Sequence, residues 1–276
     1  MESIRPLLTT YAYNITGSLE EAKDIVQDAY LHYMQADRSH VQDEKAYLVR
    51  AVINRSINRK KQQQVQAADY PGQWLPEPVS TEGADSSLLR GDLLSYSLMV
   101  LLEKLNPRQR AVFILREAFD YDHAEIAATL GISEDYSRQL LTRARRQLDA
   151  PVIQAYTGTD IRKYQEAILR NDLKKLEQLL NEDITVISDG GGKVAAAINP
   201  VTGRKPAIAF LSGLYRKAYA HFDAQVTEIN NQPAILYHYK GELIGCQVFT
   251  FLNGSISNVF IIRNPDKLRY LKKNMV

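Results

Sequence analysis

Apolar residues recur every three or four positions over most of the first 66 residues and again between about 93 and 149. Past residue 180 they come instead in short runs rich in β-branched and aromatic side chains. The first spacing predicts helices with one buried face and the second predicts strands. Ser18 to Glu21 fits a capping box, and Leu19, Ala22, Val26, Ala29, Tyr30 and Tyr33 follow it as one stripe. A second long helix is expected from near Asp43, with Ala46, Val49, Ile53 and Ile57 facing inward. The pattern then breaks: Pro71, Gly72, Pro76, Pro78, Gly83 and Gly91 lie among Ser, Thr and acids, which reads as a linker over 67–92 with a net charge of −4. Asn106-Pro107 supplies an N-cap and a first-turn proline for the next helical block, and Pro151 closes it. From about 159 two helices (about 159–170 and 172–181) precede the strand-like runs DITVIS, AILYHYK, LIGCQVFTFL and SISNVFIIR. The expected organisation is multidomain: a helical domain over 1–66, the linker over 67–92, a second helical domain over 93–150, and an α+β domain over 151–276.

Composition narrows the classes. A 276-residue chain with 45% hydrophobic and 24% charged residues is an ordinary globular protein, long enough for two or three cores. Lys plus Arg number 34 against 32 Asp plus Glu, so any attraction to nucleic acid must come from local patches, not from the net charge of +2. The single cysteine, Cys246, removes internal disulfides and Cys-based metal clusters, and neither a metal nor a cofactor is expected. The first residues lack the apolar stretch of a signal peptide, and no run of about 18 apolar residues occurs, so a cytoplasmic protein without a membrane partner is expected.

Two helices carry local charge. In the helix 43–63, Arg50, Asn54, Asn58 and Lys61 share a face away from the apolar stripe, with Arg55 and Arg59 beside it. From Arg50 to Lys61 five basic residues occur without an acid, and Asn side chains offer the donor and acceptor pairs that base edges need. The preceding helix is acidic on its outer side, with Asp24, Gln27 and Asp28 adjacent, a face that phosphate would repel and that a protein partner would accept. Between 107 and 148 three helices are expected, the last two joined around Leu130-Gly131-Ile132-Ser133 as a helix-turn-helix packed through Ile126, Ala127, Leu130 and Ile132. On its second helix, 133–148, Ser137, Arg138, Gln139, Thr142, Arg143 and Arg146 form a basic polar surface suited to phosphates and base edges. Solvated amphipathic faces are the plainer reading of each of these helices taken alone.

The first 150 residues resemble an extracytoplasmic-function sigma factor, a bacterial promoter-recognition subunit of the sigma-70 family. The segments that carry the resemblance are AKDIVQDAYLHYM, YLVRAVINRSINRKK and NPRQRAVFILREAFDYDHAEIAATLGISEDYSRQLLTRARRQL. It implies core RNA polymerase and promoter DNA as partners. Asp24, Gln27 and Asp28 would meet the polymerase. Tyr47, Arg50, Asn54, Arg55, Asn58, Arg59 and Lys61 would melt and read the −10 element, with Tyr47 keeping an aromatic where the family often has Trp. The helix 133–148 would read the −35 element. The rest of the chain resembles the subgroup fused to a SnoaL-like domain of the NTF2-like α+β cone. Three short runs carry that likeness: Trp74-Leu75-Pro76-Glu77-Pro78, Asp189-Gly190-Gly191-Gly192-Lys193 and Asn264-Pro265-Asp266-Lys267-Leu268. They imply interdomain regulation in cis, without a dedicated anti-sigma factor.

The α+β domain also holds Asp189, His221, Asp223, Tyr237, His238, Tyr239 and Cys246, the residue types of a catalytic or ligand pocket. Alternation along a strand puts Tyr237 and Tyr239 on one face and His238 on the other, so no nucleophile and base can be paired from spacing and no enzymatic activity is expected. The glycine run suits either a phosphate nest or a flexible hairpin. Two functions remain open from residues alone. One is a sigma factor controlled by its third domain; the other is a polymerase-independent helix-turn-helix regulator whose third domain senses a small molecule.

Overall fold

The computed structural model describes residues 2–37, 41–66, 69–81, 88, 90–148, 161–219 and 221–273. The expected division between helical and α+β domains at 150/151, and the linker residues 82–87, lie outside them. The chain folds as two compact units, one of residues 1–68, 85–94 and 98–151, the other of residues 69–84, 95–97 and 152–276.

The first unit is all-α. Helix α1 (Arg5–Thr16) buries nearly its whole length, and α2 (Leu19–Gln35) starts where the Ser18 hydroxyl accepts the Glu21 amide at 3.3 Å. Helix α3 (Glu44–Gln66) buries Leu48, Val49, Val52, Ile53 and Ile57, whereas Ala46, expected inward, is exposed. After the short α4 (Tyr96–Leu101), Asn106 and Gln109 close a reciprocal capping box on α5 (Pro107–Glu117). Asp122 and Glu125 do the same for α6 (His123–Leu130). Gly131 leaves α6 at φ 63°, a left-handed turn costly to other L-residues, and the chain enters α7 (Glu134–Leu148). The helix-turn-helix expected around Leu130–Ser133 is therefore present.

One buried ionic cluster joins the two halves of this unit. The Lys60 ammonium on α3 is 1% exposed; it donates to the Thr16 carbonyl at 3.1 Å and to both oxygens of Glu103 at 2.8 Å. Arg110 on α5 is wholly buried, pairs with the same carboxylate, and donates to the Asn14 carbonyl at 2.9 and 3.1 Å. Burial and the neighbouring Arg110 pull the Lys60 ammonium down to about 8, against the upward pull of Glu103. Burial alone would raise the Glu103 carboxyl, but Arg110 and Lys60 outweigh it and hold it below its ordinary value.

The second unit is α+β, as expected. Helices α8 (Arg162–Leu169) and α9 (Leu173–Leu179) lead into β1 (Leu180–Asp189). The short β2 (Val201–Thr202) precedes α10 (Arg204–Leu214), a helix absent from the strand-rich reading, which widens into a π-helical turn at Tyr215–Tyr219. Strands β3 (Asp223–Ile229), β4 (Gln232–Tyr239), β5 (Glu242–Leu252) and β6 (Ser255–Ile262) form an antiparallel meander, and α11 (Arg269–Lys273) follows. Sheet order is β2-β1-β6-β5-β4-β3, with β1 parallel to β6. One face packs Val186, Ile235, Tyr237, Phe249, Val259 and Ile261 against α8, α9 and α10.

Replacing Glu103 by Gln would strand two buried cations at once, and a loss of about 3 kcal/mol or more is expected, measured as a lower urea midpoint. Because the folded carboxyl titrates below its ordinary value, the stability it supplies is fully present above 4.5 and is lost as pH falls through the folded value. The acid limb of the stability profile should flatten in Glu103→Gln.

Candidate nucleic-acid interface

Helix α3 sorts its residues by direction. Arg50, Asn58, Arg59 and Lys61 are exposed and Tyr47, Asn54 and Arg55 half-buried, whereas Lys60, counted with the basic run, points into the ionic cluster. Tyr47 is braced by the Tyr33 ring, centroids 5.4 Å apart, and Arg59 reaches Glu21 on α2 at 2.8 Å. The Asn54 amide is committed: its Nδ2 donates to the Arg50 carbonyl at 2.9 Å and to the Thr129 carbonyl of α6 at 3.0 Å. A side chain with the chemistry to read a base thus contacts the helix preceding α7. On α2, Asp24, Gln27 and Asp28 are all exposed on the side opposite Ile25, Val26 and Ala29.

Helix α7 presents Arg138, Gln139, Thr142, Arg143 and Arg146 to solvent and buries Leu140, Leu141, Ala144 and Leu148. Ser137 departs from the expected surface. It is fully buried, and its hydroxyl lies 2.9 Å from His123 Nδ1, so it ties α7 to α6 and does not reach outward. Arg138 pairs with Glu134 at 2.9 Å and Asp135 at 3.0 Å on its own helix. Exposed pairs of this kind are worth about 0–1 kcal/mol, so exchange for a phosphate or guanine costs little.

The three short runs of the α+β likeness converge within the second unit. Asp189, at the end of β1, has no exposed side-chain surface, and a carboxylate so placed must be paired. Lys267 supplies the charge at 2.6 Å. Hydrogen bonds come from the Leu75 amide at 2.9 Å, the Tyr70 hydroxyl at 2.6 Å and the Gly191 amide at 2.9 Å. Lys267 also donates to the Leu75 carbonyl and sits 4.1 Å over the Trp74 ring. Asn264 donates to the Tyr70 hydroxyl at 3.1 Å and Asp266 pairs with Lys193 at 2.5 Å, while Leu268 is buried.

The glycine turn is built by this packing. A Cβ at Gly191 would collide with the Asn264 side chain, and one at Gly192 would lie 2.6 Å from Pro71 Cγ. The Lys193 and Val194 amides donate to the Gly190 carbonyl and the Gly191 amide to Asp189, so the turn is braced from within. Further along, the Val79 amide donates to Asn230 Oδ1 at 2.9 Å, the Asn230 amide returns to the Val79 carbonyl, and Tyr96 donates to the Pro76 carbonyl at 2.7 Å. Residues 69–81 are thus a strap laid into the α+β fold, with Leu75, Pro76, Glu77, Pro78 and Val79 buried. Tyr70 and Asn230, both bonded in the strap, carried no sequence signal of that role.

The other polar candidates do not assemble into a site. Cys246 is buried, and burial pushes its thiol up. Tyr237 is buried against Gln247, whereas His221, Asp223 and Tyr239 lie exposed. Among the described residues no group of three His, Cys, Asp or Glu is placed to hold a metal, and no helix is long and apolar enough to cross a membrane.

Comparison with known proteins matches residues 1–65 to the Sigma-70 region 2 model and residues 95–148 to the Sigma-70 region 4 model. The chain is 29% identical to the ECF RNA polymerase sigma factor SigJ of Mycobacterium tuberculosis, over 96% of this chain and 91% of that protein. It is 26% identical to the probable ECF RNA polymerase sigma factor SigI of the same organism, over 98% and 94%. The crystal structure of SigJ superposes with a TM-score of 0.79, covering 98% of this chain and 97% of that one.

Replacing Asp189 by Ala is expected to loosen the strap. Limited proteolysis should cut between residues 69 and 81 at least about tenfold faster than in the parent, since cleavage tracks the population of the open form. Emission from Trp74, the single tryptophan, should shift to the red. Unchanged cleavage and emission would mean that Asp189 does not hold the strap.

Proposed function

The chain belongs to the extracytoplasmic-function sigma factors, which bind core RNA polymerase and direct transcription initiation at promoters; from that premise we propose that its third, α+β domain controls, in cis, how the two DNA-reading surfaces are deployed. In this reading Asp24, Gln27 and Asp28 meet the polymerase. Tyr47, Arg50, Asn54, Arg55, Asn58, Arg59 and Lys61 act on the −10 element. Arg138, Gln139, Thr142, Arg143 and Arg146 act on the −35 element, while Ser137 supports them from beneath.

The observation that carries the reading is the contact of Asn54 with Thr129 at 3.0 Å. Elements at −35 and −10 are separated by roughly 25 base pairs, about 85 Å at ~3.4 Å per base pair. A sigma factor engaged with both cannot keep helix α3 against helix α6, so the arrangement described here is a closed one. Asn54 has to leave Thr129 before it can meet a flipped base. Residues that join the region 2 helices to region 4 include the strap, which the α+β unit holds through Asp189, Lys267 and Asn230. Docking and release of that strap would shift the balance between closed and polymerase-ready forms, and about 1.4 kcal/mol suffices for a tenfold change.

The test is titration of bacterial core RNA polymerase with the full chain, with Asp189→Ala and with Asn54→Ala, each followed by open-complex formation on a promoter selected in vitro. Asp189→Ala is expected to bind core with altered affinity, the direction giving the sign of control. Asn54→Ala should bind core as the parent does and give at least about tenfold less open complex, the effect of losing one charge-free base contact in the rate-limiting melt. Equal open-complex yield would refute the role of Asn54. Parent-like core affinity and open-complex yield in an Asp189→Ala chain whose strap is proteolytically open would refute control through the strap.

A further inference from the structure

A groove of about 400 Å³ lies between α9 and α10 in the α+β unit. Lys205, Ile208, Ser212 and Arg216 recur at i, i+3, i+7 and i+11, one stripe along α10 and the turn that continues it, and Lys174 and Glu177 line the groove from α9. Three cations from two helices thus share one groove with a single carboxylate. Among the described residues none of Lys174, Lys205, Arg216 and Glu177 forms an ion pair. Other carboxylates close in sequence are engaged elsewhere: Glu166 pairs with Lys175 at 3.4 Å, and Asp172 caps α9.

Two further features of this stripe point to a bound group. Ser212 lines the groove at 5% exposure, and among the described residues its hydroxyl has no hydrogen-bond partner. A buried helical serine can settle its hydroxyl on the carbonyl four residues back, as Ser56 does on Val52 at 2.7 Å. Ser212 does not, although a buried hydroxyl left unpaired costs stability that alanine at the same place would not. Arg216 stands on the π-helical turn, a geometry rare in proteins and frequent at functional sites.

We propose that this groove binds a small organic phosphate, a phosphate monoester with free hydroxyl groups: Lys174, Lys205 and Arg216 take the phosphate, the Ser212 hydroxyl donates to one of its oxygens, and Glu177 accepts a hydrogen bond from a hydroxyl of the ligand. The volume suits one small molecule. Three cations against one carboxylate leave a charge of +2, and a phosphate monoester brings about −1.5 to −2 near neutral pH with three acceptor oxygens. A monocarboxylate would leave half of that charge unmet. A DNA backbone fits less well, since it carries one charge per phosphate and offers Glu177 no hydroxyl. Helix α9 runs directly into β1, whose far end carries Asp189. The site stands on the geometry of this unit alone; only its consequence for transcription rests on the reading of the strap given above.

The experiment is isothermal titration of the full chain with ribose 5-phosphate, against ribose and inorganic phosphate. Ribose 5-phosphate is expected to bind with a submillimolar dissociation constant and ribose about tenfold or more weakly, the worth of a charge-assisted pair. Lys174→Gln and Arg216→Gln, both at exposed positions, should each weaken ribose 5-phosphate at least about tenfold, whereas Lys163→Gln, exposed on α8 and outside the groove, should leave it unchanged. Ser212→Ala should keep or raise the melting temperature while weakening binding about fivefold or more. Glu177→Gln should weaken ribose 5-phosphate and not inorganic phosphate. Equal affinity for ribose and its phosphate, no binding of either, equal losses in Lys163→Gln and Arg216→Gln, or displacement of ribose 5-phosphate by random-sequence duplex DNA would overturn the proposal. Trp74 emission recorded in the same titration separates the two ideas: binding with an emission change places the groove in communication with the strap, and binding without one establishes the site while detaching it from control in cis.

Discussion

A single carboxylate without access to water organises the second unit. Asp189 cannot hold its charge in an apolar interior unless every lone pair finds a partner, and its partners are the nearby Gly191 and two distant stretches of chain, Tyr70 with Leu75 and Lys267. Removing any one leaves the others facing an unmet charge, so the contacts form and break together. Lys267 extends the same logic outward, since its ammonium also serves the Leu75 carbonyl and lies over Trp74. The strap thereby acquires the cooperativity of a core.

The first unit repeats the device with a second cation. There Glu103 stands between two buried cations, Lys60 and Arg110, and the carbonyls of Asn14 and Thr16 take the remaining protons. Apolar packing between helices tolerates sliding by a fraction of an ångström; an ion cluster of this kind does not, because each displacement exposes a charge to a medium that cannot solvate it. Both units thus use buried charge where the chain must adopt one arrangement, and both place it where segments far apart in sequence meet.

Much of this was legible in the residues. Helical spacing, the Asn106-Pro107 helix start and Gly131 marked the region 4 fold, and the three runs WLPEP, DGGGK and NPDKL marked the segments that converge on the clasp. What escaped was what depends on tertiary direction. Lys60 looked like one more member of a basic face, and Ser137 like part of a reading surface, because composition does not tell which way a residue points when charged groups are paired inside. Ala46 was assigned inward on spacing alone, although a small side chain at a helix start gains little by burial. Helix α10 was hidden by its glycine and its π-helical end, both of which interrupt the period that reveals a helix. Residues 67–92 read as a linker because proline, glycine and acid have no period; the described part, 69–81, is held mainly by Asp189, Asn230 and Lys267, more than a hundred residues away.

The strap also alters what counts as a module in this chain. Its α+β unit is discontinuous, assembled from residues 152–276 together with 69–84, which lie between the two sigma regions, and 95–97, at the start of the second. A recombination event, or a designer, that exchanged only the C-terminal portion for a relative's would leave Tyr70, Leu75 and Val79 facing a foreign clasp. Inheritance of this domain therefore requires separated stretches of gene to travel, or to change, in step.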